Sequence, residues 1–89
     1  MMYPYIKLPD DTLITHSHLI VNGEKQIVKV HFEQPIEGGF KSARCVLPDY
    51  RWEFNEGFSE SEINSFIEIL ENNAHLLFRF AANGGTCCA

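Results

Sequence analysis

Residues 58–85 read FSESEINSFIEILENNAHLLFRFAANGG, and this stretch decides the fold. Ser59 and Glu62 stand in the S-x-x-E spacing of a capping box, in which each side chain satisfies an otherwise orphaned backbone donor at a helix start. Phe58 just before the cap and Ile63 four residues after it are spaced as a hydrophobic staple. Apolar residues then recur at Ile63, Phe66, Ile67, Leu70, Ala74, Leu77, Phe78 and Ala81, with the period of a helix face. Gly84 and Gly85 take the C-cap position, where glycine tolerates the left-handed backbone. The spacing predicts one helix from about residue 60 to 82, roughly 34 Å long at 1.5 Å per residue.

The wheel has two further features. Glu68, Glu71, His75 and Arg79 share a polar face. Ile69, Leu76 and Phe80 make a second apolar stripe beside the first, so the apolar arc is wider than one sheet requires. Three things can cover the surplus: a curling sheet, the N-terminal strand or a second copy of the chain. Burial against a copy makes Ile69, Leu76 and Phe80 a candidate homodimer interface, because a two-fold axis places the stripe against itself.

Upstream of the helix the period changes to that of strands. YPYIKL, TLITHSHLIV, KQIVKVHF, FKSARCVL and RWEF are short and rich in β-branched or aromatic residues. LPDDTL, VNGE, PIEGGF and LPDY separate them with turn residues. The short turns imply an antiparallel meander of four to five strands. The expected fold is therefore α+β, with that meander packed against one long C-terminal helix. Residues 1–85 form a single domain and 86–89 a flexible tail.

The chain has 89 residues and a net charge of -5, with seven Lys and Arg scattered against twelve Asp and Glu. Phosphate-backbone binding needs clustered positive charge, so direct nucleic-acid binding is not expected. No apolar run approaches the ~20 residues of a membrane span. The start, MMYPYIKLPDD, lacks the layout of a secretion signal, so a cytoplasmic protein is expected. Three cysteines, two of them adjacent, are not a disulfide framework. Cys45, in a strand-like stretch, reads as a small buried hydrophobe.

Two places offer chemistry. If Asn22-Gly23 forms a two-residue hairpin turn, Val21 pairs with Glu24, and His16 falls opposite Lys29. One sheet face then carries His16, His18 and His31, three imidazoles that could hold zinc or another divalent ion. Lys29 opposite His16 opposes this reading, and a half-exposed polar face is the plainer one. The other face, with Leu13, Leu19, Val21, Val28, Val30 and Phe32, is the better core face. The second place is the Gly-Gly-Thr-Cys-Cys-Ala tail. Cys87 and Cys88 mark it as a candidate for processing or thiol modification, against the plainer reading of a helix cap and a frayed end. Neither a nucleophile elbow nor a phosphate loop is present, because Gly38-Gly39 is followed by a strand and no Lys-Ser/Thr pair.

His16-Ser17-His18, the strand KVHFEQPI, the helix start Gly57-Phe58-Ser59 and ILENNAHLLFRF at 69–80 together resemble a family of small bacterial proteins of unknown function. That family is sometimes encoded beside toxin–antitoxin-like genes. The resemblance implies a small bacterial protein and supplies no active site; it leaves His16 and His18 as candidates. The leading expectation is a small non-enzymatic interaction or regulatory protein acting through protein contacts, as a homodimer. The alternative is a metal- or thiol-dependent protein built on the histidine face or the cysteine tail.

Overall fold

A computed structural model describes residues 2–83, the side chain of Asn22 excepted. Gly84, Gly85 and the tail with Cys87 and Cys88 lie outside the described residues. Among the described residues six strands precede one helix: β1 (Tyr3–Lys7), β2 (Leu13–His16), β3 (Ile20–Asn22), β4 (Lys25–Ile36), β5 (Gly39–Leu47), β6 (Arg51–Glu56) and α1 (Glu60–Ala82). All pairings are antiparallel, in the order β1-β2-β4-β5-β6, with β3 on β4. The chain is an α+β domain: an antiparallel meander packed with one long C-terminal helix.

The helix begins as its local sequence dictates. Ser59 Oγ accepts from the Glu62 N–H at 3.1 Å, and Glu62 Oε1 accepts from the Ser59 N–H at 2.9 Å. The cap is also docked onto the sheet. Lys41 Nζ on β5 reaches Glu62 Oε2 at 2.9 Å and lies 5.0 Å from the Phe58 ring centre. The Ser59 amide first, and then Lys41, hold the Glu62 carboxyl below its ordinary range. Asn55 closes the β6–α1 turn, donating to the Phe58 carbonyl and accepting from the Phe58 N–H. Gly57 is required here: its φ is +108°, and a Cβ would sit 2.9 Å from Lys41 Cγ. At the other end Asn83, not a glycine, stands at the C-cap, with φ -89°.

The inner sheet face and the helix make the core. Ile14, Val28, Val30, Phe32, Ala43, Cys45 and Leu47 are buried against Phe66, Leu70, Leu77 and Ala81. Phe66 stacks on Phe32, ring centres 4.3 Å apart and planes at 11°, and meets the Phe58 ring edge-on at 4.9 Å. Glu68, Glu71, His75 and Arg79 face solvent.

One expectation is corrected here, the hairpin. Asn22 pairs with Lys25, so the turn is Gly23-Glu24 rather than Asn22-Gly23. Gly23 has φ +68° at the first central position, where a type II′ turn places its glycine. The stretch TLITHSHLIV is also two strands rather than one, because Ser17 replaces part of the ladder with its side chain. Its N–H donates to the Lys29 carbonyl at 2.9 Å, while its hydroxyl accepts from the Lys29 N–H at 3.0 Å and donates to the His18 carbonyl at 2.8 Å. The Leu19 N–H turns to the helix end, donating to the Ala81 carbonyl at 3.2 Å. This break puts β2 one residue out of step with β3. Ile14 pairs with Phe32 and His16 with Val30, so β2 shows the opposite face to the one the hairpin register assigns it.

The surplus helix stripe is covered in part within the chain. Tyr5 sits at a β-bulge in β1, and its hydroxyl donates to Asn73 Oδ1 at 2.7 Å. Its ring lies 5.9 Å from that of Phe80. Ile69 packs against the core, and Leu76 is half-buried. Of the three coverings the helix pattern allowed, the N-terminal strand takes Phe80 and the core takes Ile69. Both end strands of the sheet are blunted against further pairing: β1 by Pro4 and its bulge, β6 by a register shift at Glu53.

Candidate contact surface on the outer sheet face

Strand alternation sends every second residue away from the helix. The register aligns Pro4, Thr15, His31, Arg44 and Phe54 in one row across all five strands of the path. The next row holds Lys7, Leu13, Glu33, Ser42 and Glu56. One step further, at the β4–β5 turn, Pro35 pairs with Phe40. This outer face has no layer over it among the described residues. Leu13 and Phe40 are 36% and 61% exposed, and Ile36 at the same turn is 49% exposed.

The middle of the face is a cation–aromatic cluster. The Arg44 guanidinium lies 5.6 Å from the Phe54 ring centre, and the His31 ring lies 5.9 Å from it on the same row. Lys29 and Glu53 pair beside them at 3.2 Å. Burial first, and then the Arg44 charge, push the His31 pKa down; Glu33, 3.9 Å from Nε2, opposes them. The imidazole is therefore mainly neutral at pH 7. His31 Nδ1 and Arg44 Nε are buried and have no hydrogen-bond partner among the described residues. Such groups cost stability unless a partner supplies the missing bond.

The three histidines proposed for a metal do not meet. His16 is on the inner face, 1% exposed, with its ring 5.9 Å from Tyr3 and 6.2 Å from Tyr5. Its Nδ1–H donates to the Ser17 carbonyl at 2.8 Å, which fixes the tautomer. His18 is exposed in the β2–β3 break, and His31 is on the outer face. The one-residue offset at Ser17 is the reason, since it turns His16 to the side opposite His31. Among the described residues no group of three or more His, Cys, Asp or Glu is placed to hold a metal ion. Cys45 is buried in the core, and burial pushes its thiol up to about 11. It therefore stays protonated and unreactive at neutral pH. Cys87 and Cys88 lie outside the described residues.

The sequence reading did not pick out Leu13, Phe40, Arg44 or Phe54. Leu13 was assigned to the core face by the hairpin register. The signal for the others was present in FKSARCVL, where Phe40, Ser42 and Arg44 alternate with Ala43 and Cys45. Among the described residues no ligand-sized cavity opens and no helix is long and apolar enough to cross a membrane. No family model, curated protein or solved structure matches the chain.

Proposed function

We propose that this is a small non-enzymatic interaction or regulatory protein working through protein–protein contacts, with the outer sheet face as its contact surface. The observation that carries the reading is the asymmetry of the sheet. One face is closed by α1, while the other carries exposed Leu13 and Phe40 beside the row of His31, Arg44 and Phe54. An aromatic and an arginine surrounded by half-buried polar groups is the composition of binding hot spots. A reducing, cytoplasmic setting belongs to the same proposal, supported by the free buried thiol of Cys45; a bacterial source rests on the family resemblance alone. The homodimer through Ile69, Leu76 and Phe80 is a weaker form of the proposal, since Ile69 and Phe80 already have neighbours in their own chain.

Site-specific photo-crosslinking tests it. A benzophenone amino acid placed at Phe40 should give a discrete adduct in host cells, and one placed at Glu71 on the solvent face of α1 should not. Adducts from Glu71 alone would contradict the proposal.

A further inference from the structure

The outer face also constrains the chemistry of what binds it. Leu13, Pro35 and Phe40 are adjacent at the end of the sheet that holds the β4–β5 turn: Pro35 pairs with Phe40, and Leu13 pairs with Glu33, two residues from Pro35 on the same face. Carboxylates surround them. Glu33 and Glu56 are the diagonal neighbours of Phe40 on the two flanking strands, where such neighbours lie about 7–8 Å away. Glu37 is in the turn itself. Glu33, Glu37 and Glu56 have no Lys or Arg within ion-pair distance among the described residues. The two lysines at this end are each paired with a carboxylate. Lys7 pairs with Asp11 at 3.7 Å, and Lys41 points to the helix side and Glu62.

Resting on the reading of the outer face as a contact surface, we infer that this end docks a basic protein segment bearing apolar side chains. The exposed apolar residues supply the area and the unpaired carboxylates the sign. A second copy of the chain fits less well, because its matching patch has the same acidic rim and the chain already carries a net charge of -5.

The test uses the full chain, isotope-labelled for amide NMR, and three synthetic peptides. The peptides share one Leu/Phe pattern and carry Lys, Ser or Glu at every other position. The Lys peptide should shift the amides of Leu13, Glu33, Phe40 and Glu56 and weaken steeply with salt. The double variant Glu33→Gln, Glu56→Gln should bind it about tenfold more weakly at low salt. Phe40→Ser, at an exposed position that does not threaten folding, should abolish the shifts. Equal binding of the Ser or Glu peptide at these amides would overturn the basic partner and leave the outer face standing. Shifts of the same amides on concentrating the protein alone would name a second copy as occupant and overturn the inference. Lys-peptide shifts at Glu68 and Glu71 of α1 instead would overturn both it and the contact surface, and absence of binding by all three peptides would overturn the inference.

Discussion

Replacing Phe66 is the most informative single perturbation of the fold. Phe66 is 4% exposed, stacked on Phe32 of the central strand and edge-on to Phe58 at the helix start. Phe66→Ala removes the side chain that joins these two rings. Burial plus cavity cost about 3–5 kcal/mol for such a change. A chain of 89 residues has a total stability of roughly 4–13 kcal/mol, so this variant loses about a quarter or more of it. Phe66→Leu keeps much of the volume but loses the ring–ring term, and should cost about 1–2 kcal/mol. Urea unfolding is the assay, followed by helical circular dichroism and by the fluorescence of Trp52, the chain's one tryptophan. Its ring lies 5.8 Å from that of Phe32, so it reports on the same cluster. With a slope near 1 kcal/mol per molar urea, Phe66→Leu should lower the midpoint by about 1–2 M. Phe66→Ala should lower it by about 3 M or more, or leave the chain unfolded. Phe40→Ala, on the exposed outer face, should stay within about 0.5 kcal/mol of the parent. A cost below about 1 kcal/mol for Phe66→Ala would refute the packing, because α1 would then be docked by another face.

Four further predictions concern local features. Ser59→Ala should cost about 0.5–2 kcal/mol in thermal or urea unfolding, by removing the cap on the Glu62 amide. Ser17→Ala should cost about 1–3 kcal/mol, because the Lys29 N–H loses its acceptor inside the sheet; the same amide should exchange faster with solvent. His31 is held below its ordinary value of about 6.5 by burial and Arg44. The unfolded chain therefore takes up the proton first, and His31's contribution to stability is full above about pH 6.5 and falls as the pH drops below it. Urea unfolding of the parent and of His31→Gln at pH 7.5 and 5 should show the smaller loss in the variant. Zinc at neutral pH should not raise the melting temperature, since His16 and His31 face opposite sides of the sheet; a rise that disappears in a His16→Ala, His18→Ala, His31→Ala variant would contradict the register.

The helix was legible in the sequence because its determinants are local. Ser59, Glu62 and the apolar spacing after Ile63 act within a turn or two of one another, and the structure places them as the pattern implies. The Gly57-Phe58-Ser59 start was legible as a motif, but its reason was not. The glycine is needed because the Lys41 side chain, sixteen positions earlier, crosses it on its way to Glu62. The strands were legible as segments, whereas their register was not. The register hinges on one hydroxyl: Ser17 replaces a ladder partner, the count shifts by one, and every side chain of β2 changes face. That single offset buries His16, exposes Leu13 and separates the imidazoles. The outer face was missed for the same reason, since a contact surface is a property of register and not of any one segment. The cover of the surplus apolar stripe of α1 was not legible, because Tyr5 and Asn73, which supply part of it, are 68 residues apart in the chain.

Contacts through the sheet face opposite the helix can be read directly on the aromatic side chains. The seven phenylalanines sample every surface: Phe40 and Phe54 on the outer face, Phe32, Phe58 and Phe66 in the core, and Phe78 and Phe80 on the half-buried flank of α1. Fluorine NMR of the 4-fluorophenylalanine-labelled protein, recorded in buffer and in host cell extract, reads all of them at once. The Phe40 and Phe54 lines should shift or broaden in extract while those of Phe78 and Phe80 hold. Movement of the Phe78 and Phe80 lines with Phe40 and Phe54 unchanged would contradict contacts through this face.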